Sequence, residues 1–210
     1  MEPGMRLLKF QLRRLSAVQI AIVLLILGLF FGVLFANIFK NSYDKQMLDY
    51  QNNIFSDITS GNINYSGLFV YTLTKNLGEF AVFWLLAITI LGIPYMAYKI
   101  ASFGFFAGFF ISAVSMNYGW KGILLILSYV FPHGLLYLPV ALISLYKGYE
   151  LCNAIYRDNR NHIGSIAELI KPKLPLIFIL AVILAAGSFL EAYAGAFLLK
   201  KALAYCLTHN

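Results

Sequence analysis

Two side chains well inside the apolar stretches of this sequence, away from their starts, could move a proton or hold a charge: His133 and Glu191. His133 lies in the triplet Pro132-His133-Gly134, deep in an apolar run. Pro132 has no N–H to give a helix and clashes with the carbonyl of Ser128; Pro139 does the same at Leu135. A helix through this run is expected to kink and leave carbonyls free beside an imidazole. That arrangement fits a polar pocket, or a neutral His bonded to a neighbouring carbonyl. Glu191 has Gly187 and Gly195 four residues to either side, with Ala192 and Ala194 nearby. Small residues let helices approach closely, and an intramembrane carboxylate avoids lipid. Glu191 is therefore expected to face a helix or a partner, as structural glue or as a functional contact.

Other chemistry is sparse. Asn76 and Glu79 stand at the start of an apolar run, where a carboxylate complements the positive end of a helix. Cys152 and Cys206 match no metal-ligand spacing and are too few for a disulfide framework. There is no G-x-S-x-G, no H-E-x-x-H and no phosphate-binding glycine loop. No Ser or Cys is placed by sequence as a nucleophile for a His133–Glu191 pair. The expectation is a protein that is not an enzyme, with no cofactor and no metal.

The elements that position these residues follow from composition. Of 210 residues, 60% are hydrophobic and 12% charged. A soluble domain carries about 25% charged residues, so lipid must surround most of this surface. The fold class is all-α, a single integral membrane helical bundle over 1–210 with about five transmembrane helices. Apolar runs at 17–39, 79–98, 100–117, 123–146 and 175–199 are the spans, each near the roughly 20 residues that a bilayer requires. Residues 1–16 read as a basic amphipathic lead-in. Residues 40–77 form an outer loop, where Tyr43, Met47, Tyr50, Ile54 and Ile58 mark an amphipathic helix that docks a partner or rests on the membrane. Residues 147–174 form an inner loop in which Ser165 and Glu168 fit a capping box, with Pro172 as its stop.

The net charge of +7 is spread between the apolar runs, which suits anionic lipid and not nucleic acid. With the N-terminus inside, ten of the sixteen Lys and Arg residues fall on the inner side, so a multi-pass cell-membrane protein with its C-terminus outside is expected. Gly28 and Gly32 in the first span, and Gly104 and Gly108 in the third, have the small-xxx-small spacing for close helix packing.

In combination these residues resemble the stage II sporulation protein M family. The resemblance rests on Pro132-His133-Gly134 after its apolar run and on Asn76 before the second span. Gly92-Ile93-Pro94, Phe103-Gly104 with Gly108, and Glu191-Ala192-Tyr193 complete it. It spans nearly the whole chain, with one departure: Tyr137 stands where the family usually has a Glu one helical turn after the triplet. The resemblance implies a non-enzymatic membrane scaffold that anchors or assembles peptidoglycan-degrading enzymes while the mother cell engulfs the forespore. Its expected partners are membrane lipid, a peptidoglycan hydrolase complex and other copies of the chain. The alternative is a small permease or permease subunit, for which broken helices around His133 would line a polar path.

Overall fold

The computed structural model describes residues 16–42, 64–158 and 164–208, with backbone only at 156–158, 164–166 and 203–208. All of the lead-in but Ser16, the whole of the expected loop helix at 43–58 and the side chain of Ser165 lie outside the described residues. All regular structure among the described residues is helical. The elements are α1 (Ala17–Ile38), α2 (Tyr65–Ala87), α3 (Gly92–Asp158), α4 (Gly164–Ile170), a 3-10 turn (Lys171–Lys173), α5 (Leu174–Leu190), a π turn (Glu191–Gly195) and α6 (Ala196–Thr208).

Both of the first two helices begin on a side-chain cap. Ser16 Oγ accepts from the Gln19 amide at 3.3 Å, and Gln19 Oε1 accepts from the Ser16 amide at 2.8 Å, a reciprocal capping box. Asn64 Oδ1 accepts from the Gly67 amide at 2.9 Å. That second cap starts α2 well inside the stretch that reads as an outer loop. The apolar run at 79–98 is not one helix: α2 stops at Ala87, a turn occupies 88–91, and α3 starts at Gly92. The turn is fixed from both sides. Thr89 Oγ1 donates to the Leu86 carbonyl at 2.8 Å, and Cys152 Sγ donates to the Thr89 carbonyl at 3.3 Å. A side chain at Gly92 would press on the Leu86 oxygen at 2.8 Å and on the Ala87 Cα at 3.0 Å, which explains the glycine. Pro94, in the first turn of α3, occupies a position whose N–H would lack an intrahelical partner anyway.

Helix α3 contains two arms. Gly119, with φ 55° and ψ −136°, is its one residue outside helical dihedrals. The positive φ is open to glycine without the Cβ penalty. Here the chain folds back on itself: the Cβ position of Gly122 lies 2.7 Å from the Val114 oxygen, and that of Gly92 lies 3.1 Å from Cys152 Sγ. The arms, 92–118 and 120–158, therefore run antiparallel, with Trp120 86% exposed at the tip. Helical dihedrals continue through Pro132 and Pro139. Each proline removes one ladder bond, but its fixed φ stays compatible with a helix, whereas Gly119 leaves the helical region altogether.

Helix α1 packs along the first arm in the same direction. Added side chains at Gly28 and Gly32 would run into the carbonyl oxygens of Ala101 and Phe105; at Gly104 and Gly108 they would meet those of Leu25 and Leu29. Four glycines thus interlock backbone against backbone. Asn37 Nδ2 donates to Ser112 Oγ at 3.3 Å further along the same seam. On the other side, α2 and α5 close over the second arm. The main buried cluster there joins Phe83, Trp84, Ala87, Met96, Val140, Leu151, Ile155 and Leu180. Gly148 makes room for Phe83 and Met96, whose tips lie 2.8 and 2.9 Å from its Cβ position.

Three helical stretches among the described residues are long and apolar enough to cross a membrane: Ala17–Ile38, Gly92–Ile155 and Ala167–Ala202. This is an all-α membrane helical bundle. Lys75, which the sequence suggests is part of the outer loop, lies within α2.

Substituting Gly32→Leu should lower the unfolding midpoint in detergent. Overpacking costs about 1–3 kcal/mol, and here the obstacle is a carbonyl that cannot rotate aside. Gly78→Ala is the control. Nothing lies within 4 Å of its Cβ position, so stability should hold or rise.

Candidate functional site

Tyr129, His133 and Tyr137 recur every four residues on the second arm of α3 and so form one stripe of that helix. Neighbouring rings in the stripe are 5.1 and 5.3 Å apart between centroids. Opposite them, α5 ends in the π turn Glu191–Gly195, whose first residue carries the carboxylate. The Glu191 amide is shared between the Gly187 and Ser188 carbonyls, four and three residues back, a three-centre bond of the kind common at the end of an α-helix. Tyr129 Oη donates to Glu191 Oε1 at 3.1 Å, and Tyr137 Oη donates to Glu191 Oε2 at 2.8 Å. Each carboxylate oxygen thus receives a phenol.

Helix α2 completes the group through Asn76. Its side-chain amide donates one hydrogen to Tyr137 Oη at 2.7 Å and the other to Ser188 Oγ at 3.1 Å. Ser188, fully buried, donates to the Leu184 carbonyl at 3.1 Å. Tyr137 Oη also lies 3.1 Å from Ser188 Oγ. A phenol has one proton to give, and the shorter, charge-assisted bond to Glu191 takes it. Asn76, Tyr137, Ser188 and Glu191 therefore form a continuous chain of bonds that ties α2, the second arm and α5 at one level. Stacked Tyr65 and Tyr193, with Phe69 edge-on to Phe189, extend the same α2–α5 seam.

The glycines around Glu191 serve the stripe. The Cβ position of Gly187 is 2.5 Å from the Tyr137 ring, so any side chain there would displace the phenol. Gly195 faces His133, its Cβ position 3.7 Å from Nδ1. His133 is 7% exposed, and its Nδ1 has no hydrogen-bond partner among the described residues. Gly134 meets only Val130 of its own helix, and Pro132 and Pro139 stay within the helical arm. Glu79 stands apart from this group. It sits in the second half of α2 and pairs with Lys99 at 2.8 Å, with both side chains partly exposed. It does not cap a helix start, because α2 begins at Tyr65.

Tyr129 and Ser188 are members of the group that sequence reasoning passed over. The four-residue step from Tyr129 through His133 to Tyr137 was the available signal for the first. Ser188 carried none, since it joins the group through the α5 backbone and Asn76. Chemically, the group can hold a carboxylate inside an apolar bundle. Ser188 is its one hydroxyl nucleophile, and no base lies among its bonded partners. No group of three or more His, Cys, Asp or Glu side chains suited to a metal ion occurs among the described residues.

The family model for stage II sporulation protein M matches residues 21–195, from within α1 to the last residue of the π turn. The chain belongs to that family. The match takes in every residue of the Asn76–Tyr137–Ser188–Glu191 group. Stage II sporulation protein M is not a known enzyme family. No curated protein and no solved structure matches the chain.

Tyr137→Phe should be the most damaging conservative change in this group. It strips a donor from Glu191 and an acceptor from Asn76, and leaving buried polar groups unpaired costs about 1–3 kcal/mol. Tyr129→Phe removes one donor only and should cost less. In a double-mutant cycle of Tyr137→Phe with Glu191→Gln, detergent unfolding should show strong non-additivity. Additive losses would mean that the two side chains are not coupled.

Proposed function

We propose that this member of the stage II sporulation protein M family is a non-enzymatic membrane scaffold that anchors or assembles peptidoglycan-degrading enzymes during forespore engulfment. The observation that carries the reading is the family match over residues 21–195. The site supports it, because its polar side chains are spent on one another. Asn76, Tyr129, Tyr137, Ser188 and Glu191 bond between helices, an arrangement suited to setting helix register.

The bundle reads as five passes. The apolar stretch Gly92–Ile155 turns back at Gly119 and crosses twice. Helix α2 runs alongside α5 through Tyr65–Tyr193 and Asn76–Ser188 and adds one more. The N-terminus is cytoplasmic and the C-terminus outside, as the excess of Lys and Arg on the inner side favours. Moving Lys75 from the outer loop into α2 sharpens that excess. At the inner end, Lys147 and Lys173 both reach Glu150, at 2.9 and 3.5 Å. Tyr146 and Tyr149, next to them in sequence, are exposed, in keeping with an aromatic belt at a lipid–water boundary.

Affinity capture of the tagged chain from chemically cross-linked native membranes should bring down peptidoglycan-degrading activity, read on a cell-wall zymogram. Capture with no such activity, repeated in sporulating cells, would refute the scaffold. A phosphatase fused after Asn210 should be active and a fluorescent protein at the same place dark. The reverse pattern would overturn the sidedness alone.

A further inference from the structure

The second arm of α3 and the run of α5, π turn and α6 are bounded in the same way at both ends. On the second arm, 122–146 contains no Asp, Glu, Lys or Arg, with Trp120-Lys121 before it and Lys147 after it. On the antiparallel run, 174–199 contains Glu191 as its single formal charge, with Lys173 before it and Lys200-Lys201 after it. At 1.5 Å per residue, Lys121 to Lys147 and Lys173 to Lys200 each come to about 40 Å.

The two runs are also in register. Lys147 and Lys173 meet on Glu150, at 2.9 and 3.5 Å. At the other end Leu125, one turn from Lys121, packs against Tyr118, Leu199 and Ala202. Each end thus forms one girdle, and each girdle holds an ammonium over an aromatic ring. Lys147 Nζ lies 5.2 Å from the centre of the Tyr146 ring, and Lys201 Nζ lies 4.8 Å from that of Phe197. A bilayer is about 30 Å of hydrocarbon, and about 40–45 Å with both headgroup layers. The girdles are spaced as those layers are. Lysine and the amphipathic aromatics favour that boundary, because each has an apolar body and a polar end.

Trp120 stands at this level. The reversal at Gly119 puts it on the hairpin tip, where it is 86% exposed, whereas Trp84 is 6% exposed in the core. We propose that the hairpin tip is a membrane anchor, with the Trp120 indole seated in the phospholipid headgroup layer of one leaflet. Its ring lies against the upper acyl chains and its N–H points to lipid oxygens. Held at both girdles, the second arm resists sliding along the bilayer normal. Glu191, nine residues before Lys200, is then kept about 14 Å inside the tip boundary. The proposal stands on the girdle spacing; neither the scaffold reading nor the choice of outer face enters it.

The chain's two tryptophans make the test direct. Trp84 Nε1 has no hydrogen-bond partner among the described residues, so Trp84→Phe removes no bond and leaves Trp120 as the reporter. The full chain is reconstituted in phosphatidylcholine–phosphatidylglycerol vesicles whose acyl chains carry bromine either close to the headgroup or at the chain end. Iodide, present on both faces, probes water. Headgroup-side bromine should quench the Trp120 fluorescence most, and chain-end bromine and iodide least. Strongest quenching by iodide would put the tip in water, and strongest quenching at the chain end would put it in the hydrocarbon. Quenching by none of the three would mean that protein covers the tip, either residues 43–63 of the same chain or a second copy. Each of these three results overturns the anchor. If Trp84→Phe fails to insert, the unsubstituted chain and Trp120→Phe give the same reading by difference, since the buried Trp84 signal is common to both. Trp120→Phe should then abolish the headgroup-side quenching, and quenching that persists in it counts against the anchor.

Discussion

A carboxylate held inside an apolar helix bundle must be given hydrogen-bond donors, and the arrangement of three helices in this protein follows from that need. Glu191 receives its two donors from Tyr129 and Tyr137 of one helix arm. Tyr137 in turn receives from Asn76 of α2, which also holds Ser188 of α5. In membrane proteins a single interhelical bond averages about 0.6 kcal/mol, because the unfolded chain in lipid also finds partners. The sum of such bonds is modest. The asymmetry of the alternative is what fixes the register: a one-turn slide of α5 would leave the Glu191 carboxyl group without its donors, and an unpaired buried polar group costs about 1–3 kcal/mol.

The two sides of the bundle solve the same problem differently. Lipid tails are as apolar as leucine, so helices gain nothing from hiding hydrophobic surface from one another. Helix α1 and the first arm answer with contact distance. Four glycines bring the backbones together, so that dispersion and Cα–H to carbonyl contacts accumulate along the seam. Helices α2 and α5 answer with polar bonds on the second arm. Gly119 connects the two solutions, since a single residue of positive φ lets one long apolar segment serve both.

Hydropathy and glycine spacing made the glycine side readable in advance. The run at 17–39 became α1, and Gly28, Gly32, Gly104 and Gly108 lie at its contact with α3. The polar side was harder to read, for physical reasons. Helix α2 begins at Tyr65 within a stretch whose Ser66, Thr72, Thr74, Lys75 and Asn76 read as loop, because hydropathy does not distinguish a polar residue facing protein from one facing water. Thr72 and Asn76 in fact turn inward, Thr72 back onto the Leu68 and Phe69 carbonyls and Asn76 across to Tyr137. The break at 88–91 interrupts a run that stays apolar through Leu91-Gly92-Ile93, so only the cap and turn residues announce it. The π turn at Glu191 carries no compositional signature at all. A π turn differs from an α turn by one residue in its backbone bonding, i to i−5 in place of i to i−4, and side-chain type does not record that difference.

Tyr137 shows how one side chain can set the character of the site. Where the family resemblance leads one to expect a Glu one turn after Pro-His-Gly, this chain presents a phenol to Glu191 at 2.8 Å. A carboxylate at that place would bring two acids together, and like charges in such a pair must share a proton. The pair would then be a group whose bonding depends on its protonation. A phenol removes that dependence: it always has a proton to donate, and it still accepts from Asn76. The bond between the second arm and α5 thereby becomes a fixed donor-to-acceptor contact. His133, one turn before Tyr137 and beside Gly195, remains the group's one side chain with a free ring nitrogen. In this chain the site is therefore built to hold helices in place, with its single carboxylate committed at both oxygens.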